Sequence, residues 1–224
     1  MASQARMATM HRPSWPLLSL RLGPLGRLGP EGLASAIDKQ PVPGPVWVGI
    51  TGIEGDHQAD RVHHGGPDKA LHHYPAEHYA AWRAELPDQA GWAIGGFGEN
   101  LATEGLTETS ACLGDVYQLG AARLQISQGR SPCRKLNLRF ALPDMLDRVV
   151  ASGRTGWYYR VLAPGWVQPD DCLALIERCH PDWTVARLYR SLFGPDADRV
   201  RWAALANHPA LSDSWRQRAK ARLG

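Results

Sequence analysis

The frequent interruption of apolar runs by glycine and proline is the feature that most constrains the fold of this chain. Between residues 15 and 178 the apolar runs are short, and they end at Gly, Pro or Asp. Long helices do not continue through such breaks, because proline removes a backbone donor and glycine costs conformational entropy. Short runs rich in Val, Ile and Leu are typical of strands. The pattern therefore predicts a mainly β body.

Individual strands and helices can be placed within this body. The clearest strand signals lie at residues 46–53, 115–128 and 171–177. In the second segment, LGAAR predicts a hairpin turn in which Gly120 has a positive φ. Pro75 suits the first turn of a helix over residues 75–86, and a second short helix is predicted at 143–150. We expect a folded-over barrel that carries a few helices on its loops.

The apolar spacing changes to a helical period after Cys179. PDWTVARLYRSLFG has Asp182 or Thr184 as a cap, a 3–4 spacing of apolar residues and a final Gly194. Two further segments repeat this spacing, which predicts three short helices. We therefore divide the chain into a β-barrel-like domain over residues 15–180 and a three-helix module over residues 181–223. Residues 1–14 weakly resemble a transit peptide, but we expect a disordered N-terminus there.

Composition argues against several classes of protein. The net charge is only +3 and no basic run reaches five residues, so we expect no nucleic-acid partner. The apolar stretches are too short to cross a bilayer, so we expect no membrane association. The four cysteines form no CxxC pair, which argues against a disulfide scaffold and against a zinc ribbon. Reduced thiols in the cytoplasm are the simplest interpretation.

The stretch ISQGRSPCRKLN, residues 126–137, places Cys133 among three cations, Arg130, Arg134 and Lys135. Nearby positive charge favours the thiolate, which is the form of cysteine that reacts and binds metals. Pro132 stiffens the chain beside it. The pattern indicates a soft-metal ligand or a nucleophile, and the alternative is a thiol that merely lies beside surface arginines.

Histidine is concentrated in the segment before the predicted helix at 75–86. Six of the nine histidines lie within 22 positions, and they are His57, His63, His64, His72, His73 and His78. This density suggests a metal site, but no HExxH motif is present, and neutral hydrogen-bonding roles are the alternative. Gly65 and Gly66 in the same segment would let backbone amides approach a ligand.

Two more glycine-rich motifs carry polar side chains. GGFGENL offers Glu99 and Asn100, in a loop that grips a polar ligand or in a simple turn into a strand. GRTGWYYRVLAPG contains Arg154 and Arg160 beside aromatic residues. An arginine fork suits a phosphate group, and strand packing with a solvated arginine is the alternative.

Taken together, these motifs resemble one family. GIEGDHQAD, VHHGGPDKAL, GFGENLATEGL, CLGDVYQLGAARLQISQGRSPCRKL and GRTGWYYRVLAPG occur in the order typical of MOSC-domain proteins. The resemblance is closest to the bacterial YiiM type, which has a three-helix C-terminal extension. It covers nearly all of the chain from residue 15 to residue 223.

The resemblance implies a MOSC-type, β-barrel-like fold that binds the molybdenum cofactor, a pterin whose dithiolene holds molybdenum. It implies that Cys133 is the metal ligand. The residues expected at the cofactor are His64, Gly65, Gly66, Lys69, Asn100, Arg130, Lys135 and Arg160. The implied activity is reduction of N-hydroxylated compounds such as 6-N-hydroxylaminopurine, a mutagenic base analogue, which is a detoxification. Electrons are expected from a separate flavoprotein reductase, because the chain has no flavin or nicotinamide motif.

Two questions stay open at the level of sequence. The proton donor for this reduction is expected among Asp56, Asp60 and Glu99. Gly129 replaces the first proline of the family's usual QPRSPC, and we expect a slightly looser site, at about 0.5–1 kcal/mol.

Two other functions use the same residues. One is a carrier of the cofactor or of sulfur without turnover of its own, in which Cys133 accepts the cargo. The other is a hydrolase with zinc on His63, His64 and His72.

Overall fold

The computed structural model describes residues 12–59, 65–195 and 198–224. Its main sheet is built around a hairpin of β10 (Val116–Leu119) and β11 (Ala122–Gly129). Gly120 in the turn has φ 52°, which confirms the predicted hairpin. Its neighbours, β14 (Cys172–Glu177) and β12 (Trp157–Ala163), pair antiparallel with β10 and β11 respectively.

Five more strands extend this sheet to nine. They are β1 (Ser14–Pro16), β2 (Ser19–Leu22), β5 (Gln40–Pro41), β8 (Leu71–His73) and β9 (Leu101–Ala102). The spatial order is β1-β14-β10-β11-β12-β8-β9-β2-β5, and β8–β9 is the parallel pair. β1 thus lies at one edge and β2 beside the opposite edge, although only Leu17 and Leu18 separate them in the chain.

The sheet must therefore curl, so that β1 and β2 come close to each other at Leu17 and Leu18. The backbone N–H of Leu17 donates to Asp171 O next to β14, and that of Leu18 donates to Ala102 O in β9. A continuous apolar core fills the curled sheet, with Leu71, Trp157 and Tyr159 among its members. The predicted barrel-like, mainly β fold is confirmed.

Two small sheets flank the main one. β6 (Val46–Gly49) and β7 (Gly52–Ile53) form a hairpin that pairs with β13 (Gly165–Val167). The prediction of one strand over 46–53 was wrong, because the chain reverses between Gly49 and Gly52. Gly52 has φ 126° and lies against Ala70 O, a place without room for a side chain. β3 (Gly26–Leu28) and β4 (Leu33–Ser35) form a separate ribbon.

Three short helices lie on the loops of the body. α1 (Glu77–Glu85) falls inside the predicted segment, and α3 (Met145–Ser152) ends at Gly153 in the left-handed region, close to the prediction. α2 (Lys135–Arg139) comes shortly after Cys133 and was not predicted. A cluster of aromatic and apolar side chains beneath them includes Trp82, Phe97 and Phe140.

The C-terminal helices are α4 (Val185–Phe193), α5 (Arg199–Ala206) and α6 (Asp213–Leu223). Their caps are the side chains of Thr184, Asp198 and Ser212, each of which accepts from a backbone N–H one turn on. The three predicted helices are confirmed, and they share a core of their own. None of the helices in the described part of the chain is long and apolar enough to span a bilayer.

The predicted N-terminal segment, residues 1–14, is described only from residue 12 onward. Residues 1–11 of the segment expected to be disordered lie outside the described residues. Ser14, however, already belongs to β1, where it pairs with Ala174. The limit between residues 180 and 181 stays a prediction.

Candidate functional site

A cleft lies beside β8 and β12, and its empty space measures about 610 Å³ when the part open to solvent is included. Its floor includes His72 and Tyr158, which pair across these strands with ring centroids 5.2 Å apart. Their neighbours in the strands, such as Leu71 and Tyr159, face the barrel core instead. The cleft therefore occupies the opposite face of the sheet, and loops after β4, β7 and β11 complete its walls.

Cys133 lies on one wall of this cleft. β11 ends at Gly129, the N–H of Arg130 donates to Gly156 O at 3.0 Å, and the carbonyl of Cys133 accepts from Leu136 N at the start of α2. The chain is thus held on both sides of the thiol. Cys133 is half-buried, whereas Cys112 is buried and the other two cysteines are exposed on the surface. The described part of the chain offers the cleft this one thiol.

Several cationic side chains line the same cleft as the thiol. Among the residues that the structure describes, four cationic side chains line the cleft, and they are Lys39, Lys69, Arg130 and Lys135. Arg130 is only 5% exposed, and its Nη1 has no hydrogen-bond partner in the protein. A buried guanidinium with an unused N–H is costly unless a ligand completes it. Lys135 donates to Ala34 O at 3.1 Å. The cleft is therefore suited to an anionic ligand.

A buried ion pair forms part of the cleft wall. Lys39 Nζ donates to Asp56 Oδ1, which also accepts from Gly23 N at 2.7 Å, and Asp56 Oδ2 accepts from Asn100 Nδ2 at 2.9 Å. Burial lowers the pKa of Lys39, and this effect outweighs the attraction of Asp56. Asn100 also accepts from His72 N at 3.0 Å. The Asn100 amide thus connects β8, through His72, to the loop that carries Asp56.

His72, His73 and His78 each bond to a different partner. Burial lowers the pKa of His72 well below its usual range, and it lowers that of His73 to about 3, so both are neutral. His73 bonds to Tyr159 Oη and Thr103 Oγ1, both at 3.0 Å. His78 bonds to Glu108 at 2.7 Å. No group of three potential metal ligands occurs among the described residues, while His63 and His64 of the zinc hypothesis lie outside them.

The predicted site residues fall into two groups. Cys133, Lys69, Asn100, Arg130 and Lys135 line the cleft together. Of the others that the structure describes, Asp56 also lines the cleft, whereas Gly65, Gly66, Glu99 and Arg160 do not. Gly65 and Gly66 lead into a 3₁₀ turn, Pro67–Lys69, where Gly66 has φ 96° and open space beside its Cα. Asp60 and His64 lie outside the described residues.

Two of the predicted residues have other partners. Glu99 is fully buried beside the cleft wall, and it accepts from Tyr79 Oη and Gly95 N at 2.6 Å and from Phe97 N at 3.2 Å. Burial raises its pKa. Arg160 bonds to Asp68 at 2.8 Å and to Gln125 at 3.0 Å. Neither lines the cleft, so Glu99 is placed to brace its loop and Arg160 to anchor the 3₁₀ turn.

Gly129 lies at the end of β11, and the slightly looser site expected from this glycine stays a prediction. It pairs with Trp157, and a Cβ at this position would come within 2.8 Å of Trp215 Cη2 in α6. The missing side chain makes room for an indole ring. The site also contains residues without a sequence signal: Lys39 stands alone among turn residues, and Tyr158 becomes visible only when β8 and β12 pair.

Comparison with known proteins gives consistent matches. A family model described as "MOSC domain" matches residues 60–174, and one described as "YiiM-like, 3-alpha helix domain" matches residues 183–223. The chain is 43% identical to "Protein YiiM" of Escherichia coli (strain K12) over 196 residues, which are 87% of each chain. It superposes on the crystal structure of YiiM from Geobacillus stearothermophilus with a TM-score of 0.80 and 34% identity, covering 95% of this chain and 100% of that one.

A longer relative is also similar. The chain is 39% identical over 211 residues to a protein of Gibberella moniliformis (strain M3125 / FGSC 7600) called "Reductase". The match covers 92% of this chain but only 37% of that protein.

Proposed function

Because the chain belongs to the MOSC-domain family, with the helical module of the YiiM type, we propose that it reduces N-hydroxylated compounds with a bound molybdenum cofactor. The proposed substrate class includes 6-N-hydroxylaminopurine. The observation that carries the proposal is the position of Cys133 on the wall of a cleft lined by four cations. MOSC domains are generally associated with this cofactor, which is anionic and binds its metal through sulfur.

The residues of the cleft fit such a group. Thiolate sulfur is a suitable ligand for a soft metal centre, and Cys133 is the thiol that reaches the cleft. The pterin phosphate needs charged donors, and the unpartnered Nη1 of buried Arg130 is one of them. Lys69 and Lys135 line the same space. Ile37 and Phe97 add an apolar wall beside these charges, which suits a flat ring.

The reaction sets requirements that the chain's own residues must meet. When bound, the cofactor supplies the two electrons that cleave the N–O bond of the substrate. Conversion of R–NHOH to R–NH2 and water consumes two electrons and two protons. The protein must therefore provide protons at the place in the cleft where the substrate is reduced.

Lys39 is the group that we assign to this proton delivery. Its ammonium lies on the cleft wall, and its lowered pKa makes it a stronger acid than an exposed lysine. Asp56 is an unsuitable donor because its carboxylate already accepts from Gly23, Lys39 and Asn100. It orients Lys39 instead. Glu99 is also unsuitable, because its carboxylate is occupied by donors of its own loop.

A separate electron donor completes the proposal. The sequence has no glycine-rich dinucleotide motif, so we propose that a flavoprotein reductase delivers the electrons. The relative called "Reductase" supports redox chemistry in the family, although this chain spans only 37% of its length.

The test uses protein made in a host that synthesises the cofactor. We expect molybdenum and pterin to copurify, and we expect 6-N-hydroxylaminopurine to be converted to adenine when reduced methyl viologen replaces the natural donor. Cys133→Ala should abolish both the metal content and the conversion. Cys172→Ala, at an exposed cysteine, is the matched control and should change neither.

Two results would contradict the proposal. Wild-type protein that binds no molybdenum would exclude the cofactor, and a Cys133→Ala variant that still turned over would exclude the ligand assignment. Protein that bound the cofactor stoichiometrically but reduced no N-hydroxylated compound would be a carrier, which is the second function that the same thiol allows.

A further inference from the structure

The first turn of α6 contacts the end of β11 just before the cleft. Ser212 N donates to Ser127 O at 3.0 Å, and Ser214 Oγ donates to Gln128 Oε1 at 3.2 Å. Trp215 lies over Gly129, the next residue. Three successive residues of β11 therefore each have a partner in one turn of the C-terminal module.

The contacted strand end is irregular. Ile126 pairs with Tyr159 and Gln128 pairs with Tyr158, so Ser127 is an extra residue in β11, a β-bulge. Bulges bend a strand and redirect the chain beyond them, and they recur beside active sites. Here the redirected segment carries Arg130 and Cys133. The carbonyl of the bulged Ser127 is satisfied by the module, through Ser212 N.

The same turn of α6 also contacts the 3₁₀ turn that precedes β8. Asp213 N donates to Asp68 Oδ2 at 3.4 Å, a favourable place for a carboxylate at a helix N-terminus. Ser127 Oγ donates to Asp68 O at 2.5 Å. Asp68 belongs to the 3₁₀ turn, Pro67–Lys69, that carries Lys69 into the cleft. One helix end thus joins the segment of Arg130 and Cys133 to the segment of Lys69.

Trp215 is held rigidly enough to serve as a support. It is 3% exposed and packs against Phe193 and Tyr189 of α4, with ring centroids 5.1 and 6.4 Å away. Because Gly129 has no side chain, the indole ring contacts the strand backbone directly. A shift of Trp215 would therefore be transmitted to the backbone one residue before Arg130.

We propose that the first turn of α6, through Trp215 and Ser214, is a positioning element of the cleft that keeps Arg130 and Lys69 beside Cys133. The C-terminal module is then part of the site's architecture. The functional meaning of this inference rests on the proposed cofactor function, but its geometry does not. It can be tested on the thiol of cofactor-free protein.

The experiment compares two alkylating reagents on Cys133. Cys172→Ser and Cys179→Ser remove the exposed thiols, and Cys112 is buried. Anionic iodoacetate is attracted by the cations of the cleft, whereas neutral iodoacetamide is not. The ratio of the two rate constants therefore reports the positive potential at Cys133, and the neutral reagent corrects for access.

Trp215→Leu should lower this ratio on the order of threefold, as expected when a unit charge moves away from the thiol in a water-rich cleft. Trp202→Leu is the matched control, because Trp202 is buried in the same module but bonds to Ser191 O within it. Its ratio should match wild type. Ser214→Ala, which loses the bond to Gln128, should lower the ratio in the same direction.

An unchanged ratio in Trp215→Leu, or an equal drop in both tryptophan variants, would overturn the inference. If circular dichroism shows that Trp215→Leu does not fold, Ser214→Ala decides: a lowered ratio supports the inference and an unchanged one refutes it. All measurements use protein without cofactor. Failure of the proposed reductase activity would therefore leave this result standing, and the reverse also holds.

Discussion

Replacing Asp56 by Asn should destabilise the protein by removing the counter-ion of a buried lysine. The side chains of Lys39 and Asp56 are 8% and 4% exposed, so water has little access to solvate the Lys39 ammonium once its counter-ion is removed. The three donors on the carboxylate are Lys39 Nζ, Gly23 N and Asn100 Nδ2. An amide has one oxygen and one NH2 group, so at least one of these donors would face another donor.

The expected cost can be worked from this geometry. Breaking a buried ion pair by removing one partner costs about 3–5 kcal/mol. Lys39→Met should cost less, about 1–3 kcal/mol, because Asp56 keeps two of its donors. The double variant should be less destabilised than the sum of the two, by at least about 1 kcal/mol, because neither member then leaves the other unpaired.

Urea unfolding at pH 7 would measure the three variants and wild type. Asp38→Asn is the matched control, because Asp38 also pairs with a cation, Arg139 at 2.9 Å, but its side chain is 68% exposed. It should change the free energy of unfolding by less than about 1 kcal/mol. A cost below about 1 kcal/mol for Asp56→Asn, or strict additivity in the double variant, would refute the argument that this pair is buried and coupled.

Three further predictions concern stability and binding. Since the pKa of His73 falls from 6.5 to about 3 on folding, the unfolded chain takes up a proton that the folded one refuses, and stability is lost as pH falls below 6.5. His73 alone should account for about 2 kcal/mol of the free energy of unfolding that is lost between pH 7 and pH 5. Urea unfolding of His73→Gln should therefore show a loss over this pH range that is smaller than that of wild type by about 2 kcal/mol. Arg130→Met should reduce copurified pterin by about tenfold or more while leaving the urea midpoint unchanged or higher, because it removes a buried, incompletely bonded cation; a clear fall in stability would contradict this. Thr184→Ala should cost about 1 kcal/mol through loss of the α4 cap, with an unchanged thermal midpoint as the contrary result.

Sequence predicted the fold best where short-range chemistry decides the structure. Gly120 in the hairpin turn and Thr184 before α4 act within a few residues, so both were readable. The strand over 46–53 was wrong because the contact of Gly52 with Ala70 is long-range. The spacing of apolar residues within one segment cannot predict a contact with a residue outside it.

The site was predictable where its residues are neighbours in the chain. Arg130 and Cys133 share one motif, and the structure brings both to the cleft. Lys39 was missed because its meaning depends on Asp56, which is 17 positions away. For Glu99, the motif could not tell whether a carboxylate that follows a glycine-rich turn faces a ligand or the amides of its own loop, and here it faces the amides.

The pairing of β1 with β14 also has a consequence for the order in which the chain folds during synthesis. β1 pairs with β14, whose residues are synthesised about 160 positions after those of β1. Until β14 emerges, the nascent chain carries a strand without its partner, an exposed edge on which other chains can add. Closure of the barrel is thus a late step, and a chaperone that shields nascent polypeptides would find its client segment at the N-terminal strands.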